Sequence, residues 1–167
     1  MTRLQNVGTR RRWLQAAATS LVLWRIGASE AQSNIPSARN LPAPDSLADA
    51  LNAALRVHQP LVVMVSLEGC PFCRVARENY LAPMRQREGL PVVQLDMRSA
   101  QIVRDFQQIG TTHDALIRGW GIKVAPTVLF FGRQGQEIAE RLKGAYISDF
   151  YGAYLDQRLE VARNRVG

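Results

Sequence analysis

The sequence predicts an α/β domain: a central mixed sheet with helices on both faces. Three observations predict it. Leu61-Val62-Val63-Met64-Val65 is an unbroken apolar run of strand length, as expected of a central strand buried on both faces. Segments with helical spacing precede and follow it. Later, Val128-Leu129-Phe130-Phe131 and Glu137 to Leu142 are separated only by the turn Gly132 to Gly135, which makes them an antiparallel pair. The order helix, strand, helix, strand, helix, two strands and helix describes a mixed sheet covered on both sides.

Each element has a local reason. Ser46 to His58 carries Leu47, Ala50, Leu51, Ala54 and Leu55 at helical spacing, and Ser46 with Asp49 resembles a capping box. Gln59-Pro60 stops this helix before the strand Leu61 to Ser66. A second helix is expected from Pro71 to about Leu81, with Pro83 kinking or ending it and Gly89-Leu90-Pro91 closing the segment before the strand Val92 to Met97. Ala100 to Ile109 fits a helix through Ile102, Val103 and Phe106, and equally a short edge strand. Thr112 caps a helix running to about Trp120, with Asp114 in its first turn. Half the positions of Glu137 to Leu142 are polar, which places that strand at an edge. Ser148 is expected to cap a last helix with Tyr151, Tyr154, Leu155, Leu159 and Ala162 as its buried stripe.

The two cysteines of the chain, Cys70 and Cys73, flank Pro71-Phe72 at the junction of the first strand and the second helix. A thiolate that attacks a substrate disulfide needs a second thiol to resolve the mixed disulfide, and two intervening residues let both sulfurs meet. The helix start aims unpaired N–H groups at Cys70, an environment that favours an anionic sulfur. Cys70 is therefore the expected nucleophile and Cys73 the resolving thiol. Pro71 suits a first helical turn because its missing N–H would have no intrahelical partner there. A structural disulfide closing so short a loop would remove little chain entropy. A closed zinc site wants four ligands, and only His58 and His113 could join the pair, so no metal is expected. Both histidines are expected at the surface.

Composition bounds the remaining possibilities. The 167 residues, 47% hydrophobic, suit one domain plus an extension. The formal charge is +7, but Arg3, Arg10, Arg11, Arg12 and Arg25 against Glu30 put +4 of it before Gln32, leaving +3 for the rest. With no basic run and no aromatic platform in that remainder, nucleic acid is excluded as a main partner. Residues 1–31 resemble an export signal: Arg10-Arg11-Arg12, an apolar run from Ala16 to Trp24, and Ser29-Glu30-Ala31 in the small-x-small form of a cleavage site. Thr9 to Gln15 resembles the twin-arginine consensus, although Trp13 and Gln15 depart from it. An uncleaved signal would tether the protein to a membrane, and an organellar transit peptide is the rival reading. Residues 32–44, with Pro36, Pro42 and Pro44, form a linker, and residues 45–167 form the domain. Export implies a periplasmic, oxidising location, where a lone cysteine pair serves as a working redox centre.

The strand followed by Cys-x-x-Cys and a helix, then Trp120-Gly121-Ile122-Lys123-Val124-Ala125-Pro126-Thr127 running into Val128 to Phe131, and Gly135, Glu137 and Gly144, together resemble the thioredoxin family over about Asp45 to Leu159. The resemblance implies a thioredoxin fold and an enzyme, a thiol–disulfide oxidoreductase. Its only redox group would be the Cys70–Cys73 disulfide, without a bound cofactor. It further implies a cis proline at Pro126 packed against the dithiol, an Ala125 backbone that pairs with substrate, and Gly144 leaving room for an approaching chain. The family's tryptophan before the first cysteine is Gly69 here, its buried acid is missing from Leu61 to Val65, and its next-strand lysine is Gln94. Glu68 or a water then remains to take the proton from Cys73. Cys-Pro-Phe-Cys resembles glutaredoxins, but their glutathione-binding pattern is absent at Val124-Ala125-Pro126 and Phe130 to Arg133. The expected substrates are disulfides of exported proteins, reduced by a monomer fed from a membrane electron donor. The competing functions are a Cu(I)-handling module built on the two thiolates and a non-catalytic binding domain using the Ala125–Pro126 edge.

Overall fold

The computed structural model describes residues 40–144 and 150–166. The export signal, most of the linker and Ser148 as a helix cap lie outside the described residues.

Ser46 opens α1 (Leu47–Arg56), its side chain accepting the Asp49 N–H at 3.1 Å, and Leu47, Leu51 and Ala54 turn inward. β1 (Leu61–Ser66) is buried at every position. Three helical pieces then run on without a break: α2 (Pro71–Val75), a π-helical turn over Ala76–Leu81, and α3 (Ala82–Glu88). Pro83 was expected to kink or end this helix, yet helix continues to Glu88. The Ala82 N–H bonds back to the Arg77 carbonyl, five residues earlier, so the π turn absorbs the extra residue and Pro83 falls in the first turn of α3. Gly89, at φ 67°, ends it.

β2 (Val92–Asp96) follows. The ambiguous stretch contains β3 (Ile102–Arg104), which pairs antiparallel with β4 (Gly110–Thr112) as a separate two-stranded sheet. Thr112 caps α4 (His113–Gly119) by accepting the Ala115 N–H at 3.2 Å. β5 (Thr127–Phe131), a 3-10 turn at Arg133–Gly135, β6 (Glu137–Lys143) and α5 (Tyr151–Val166) complete the order.

The main sheet runs β2-β1-β5-β6, with β1 parallel to β2 and antiparallel to β5, and β6 at the edge. Alternation along the strands splits the core in two. Leu61, Val63, Val65, Leu129 and Phe131 pack beneath Leu47, Leu51 and Ala54 of α1 and Ile117 of α4. Val62, Met64, Val128 and Phe130 pack against Cys73, Ala76, Leu81, Ala82 and the Tyr151, Leu155, Leu159 and Ala162 stripe of α5. Tyr154 was expected in that stripe but is 49% exposed. The stripe follows 151, 155, 159, 162 and 166, and the helical pitch carries position 154 to its flank. No helix among the described residues is long and apolar enough to cross a membrane.

Candidate active site

β1 delivers the chain to the sheet edge at Ser66, and a short loop turns it into α2. Gly69 supports that turn at φ 73°, a region that glycine enters without steric cost. Cys70 is the N-cap of α2, with Pro71 in the first turn. The Cys73 N–H donates to the Cys70 sulfur at 3.2 Å. Both cysteines are free thiols, Cys70 partly exposed and Cys73 buried at 1% exposure.

The Ala125–Pro126 peptide is cis. The Cys70 thiol points at the Ala125 carbonyl oxygen, 3.9 Å away. The Thr127 hydroxyl donates to the Val124 carbonyl at 2.8 Å, and the Gly144 N–H donates to the Pro126 carbonyl at 3.1 Å. Cys70, Ala125, Pro126 and Gly144 are thus brought together from three separate stretches of chain. Phe72 and Val124 stand exposed beside them.

Burial pushes the Cys73 thiol up to about 11. The Cys70 side chain adds to the rise, and the Leu67 backbone and Ser66 side chain oppose it. Glu68 is not among the groups acting on Cys73: it is exposed, on the lining of a groove beside Cys70. Ser66 escaped the sequence reading. It is 2% exposed and shares the parity of Val62 and Met64, the face of β1 that carries Cys73, so strand alternation could have found it. Burial also raises the Tyr151 hydroxyl, with smaller contributions from Tyr80 and Cys73.

His113 corrects the expectation of a surface residue, since it is fully buried. Its Nδ1 accepts the Asp96 N–H at 3.1 Å, and burial lowers its pKa despite the nearby Asp96 charge. A first helical turn is normally accessible, but here the end of β2 packs over it.

A family model described as a thioredoxin-like domain matches residues 47–159. Among solved structures, the DsbH oxidoreductase superposes with a TM-score of 0.50 at 17% identity, over 75% of this chain and 89% of that one. Thioredoxin f2 from Chlamydomonas reinhardtii gives 0.47 at 18% identity, over 71% and 95%. The reduced periplasmic thioredoxin SoxS from Paracoccus pantotrophus gives 0.40 at 20% identity, over 62% and 99%. No curated protein matches the chain. The architecture is the thioredoxin fold.

Proposed function

The chain belongs to the thioredoxin-like family, and from that premise we propose that it is a periplasmic thiol–disulfide oxidoreductase that reduces disulfides of exported proteins. The observation that carries this proposal is the contrast between its two sulfurs. Cys70 is reachable from solvent and accepts the Cys73 N–H, while Cys73 lies sealed behind it.

In the first step the Cys70 thiolate attacks one sulfur of a substrate disulfide. A Cys70–substrate S–S bond forms, the substrate S–S bond breaks, and the departing sulfur takes up a proton. Cys73 then loses its proton and attacks the Cys70 sulfur, forming the Cys70–Cys73 disulfide and releasing the second substrate thiolate, which is protonated in turn. Two electrons and two protons pass from the dithiol to the substrate. A reduced dithiol at the membrane would restore the enzyme by the reverse exchange. Ala125, with its carbonyl beside the nucleophile, would orient the substrate chain, and Pro126 and Gly144 would hold that edge in place. The export-like residues 1–31 are what support the periplasmic assignment. The domain would work as a monomer, with no bound cofactor beyond its own disulfide.

Equilibrating the protein against glutathione or dithiothreitol buffers measures the potential of the pair. A value near about −270 mV supports a reductase, and one near about −120 mV makes it an oxidant. Cys73→Ser should also trap mixed disulfides with exported proteins. Absence of any reversible exchange would remove the proposal, and stoichiometric copper retained by such a protein would point to metal handling.

A further inference from the structure

A groove of about 1090 Å3 opens beside Cys70, at the carboxyl ends of the parallel strands β1 and β2. Its lining includes Arg74, Arg77 and Arg98 against two carboxylates, Glu68 and Asp96. Arg74 and Arg77, three residues apart, share one helical face and form one wall. Arg98 lies in the turn after β2. Arg98 has φ 61°, a conformation uncommon for a side chain of this kind, and its backbone N–H is held by the Asp114 carboxylate at 2.9 Å.

The charges are unevenly committed. Arg77 Nη1 donates to Gln94 Oε1 at 3.2 Å, and Gln94 Nε2 donates to Asp96 Oδ1 at 2.8 Å, so a neutral amide joins Arg77 to the Asp96 carboxylate. Among the described residues Arg74, Arg98 and Glu68 have no ion-pair partner, and three arginines against two carboxylates leave the groove lining one charge positive. Two guanidinium groups without a carboxylate partner therefore line a groove that includes Cys70. Guanidinium groups match carboxylates in shape as well as charge.

We propose that this groove selects protein disulfides whose Cys70-bound half lies in an acidic polypeptide segment. The proposal rests on the oxidoreductase function above and adds a substrate preference to it. The groove is open and, at about 1090 Å3, roomy enough to take a segment of chain. Because Arg74 and Arg98 are exposed, their attraction acts mainly on association and is screened by salt.

The test uses the full chain and five probes: three peptide disulfides of equal length flanked by glutamate, glutamine or lysine, oxidised glutathione, and the uncharged bis(2-hydroxyethyl) disulfide. The second-order rate of exchange is measured at low and high salt, for the native protein, Arg74→Glu and Arg74→Glu/Arg98→Glu. The glutamate peptide should react about tenfold faster than the lysine peptide at low salt, with the gap closing at high salt and inverting in the double variant. Equal rates for the three peptides, with the uncharged disulfide still exchanged, would overturn the preference and leave the oxidoreductase standing. Oxidised glutathione outpacing the glutamate peptide would overturn the polypeptide assignment in favour of a small anionic disulfide. Failure with every probe would remove the oxidoreductase function and this preference with it.

Discussion

The Cys70 sulfur and the Ala125 carbonyl oxygen lie 3.9 Å apart, although 55 positions separate the residues in the chain. This contact places the reachable sulfur against a backbone edge and leaves Cys73 behind it, buried at 1% exposure.

Alkylation should therefore discriminate sharply between the thiols. At pH 7 a thiol with a pKa of about 11 is ionised to only about one part in ten thousand, and only the thiolate reacts. Brief iodoacetamide treatment followed by mass spectrometry should find the label on Cys70. Comparable labelling of Cys73 would reverse the assignment of nucleophile and resolving thiol.

Ser66 is the side chain that opposes the rise at Cys73, after the stronger effect of the Leu67 backbone. Ser66→Ala should slow resolution of a preformed Cys70 mixed disulfide about threefold near neutrality, the low end of the net worth of a hydrogen bond of about 0.5–1.5 kcal/mol. The pH profile of that step should move upward. A slower rate with an unmoved profile would indicate a packing role alone.

The raised thiol has a consequence for stability in alkali. Unfolded, Cys73 would titrate at 9.0, and in the fold it titrates at about 11. The folded state holds the proton more tightly, so this contribution is complete below pH 9.0 and is lost as pH rises toward about 11, at no more than about 1.4 kcal/mol per pH unit. Denaturation curves of the native protein and Cys73→Ala should converge across that window. Parallel curves would mean that burial does not hold the proton.

His113 acts on the acid side. Its folded pKa lies below the ordinary 6.5 because burial disfavours the cation. The unfolded chain binds the proton first, so stability is complete above pH 6.5 and declines as pH falls below it. His113→Asn keeps an acceptor for the Asp96 N–H without titrating there. Its stability should fall less steeply as pH drops below 6.5 than that of the native protein.

Gly135 sits at φ 69°, and a Cβ there would lie 2.5 Å from Cγ of Phe106, whose ring packs on Phe131 with centroids 4.7 Å apart. Gly135→Ala should cost about 1–3 kcal/mol in chemical denaturation, from backbone strain and displaced aromatic packing. Gly110→Ala, where a Cβ meets nothing within 4 Å, should stay within about 0.5 kcal/mol. Equal effects would mean that Phe106 yields and that the left-handed backbone at position 135 relaxes without cost.

The sequence by itself determined the order of the main-sheet strands and their helices, the strand-to-helix junction at Cys70, and the caps at Ser46 and Thr112, because these depend on partners within about four residues; it did not determine the β3–β4 pair. The run Leu61 to Val65 announced a strand buried on both faces, and the resemblance of the Trp120 to Phe131 stretch to the thioredoxin family implied the cis proline at Pro126. Strand parity already puts Ser66 on the face of Val62 and Met64, and helical pitch puts Tyr154 beside the α5 stripe; only the tertiary structure decided that β2 covers His113 and that Arg74, Arg77 and Arg98 share a groove. It also decided how the helix passes Pro83, through a π turn that no local pattern announces. Burial and electrostatic environment arise from groups brought together by packing, such as Asp96 with His113 and Cys70 with Ala125. Local periodicity and spacing carry no term for those distant neighbours.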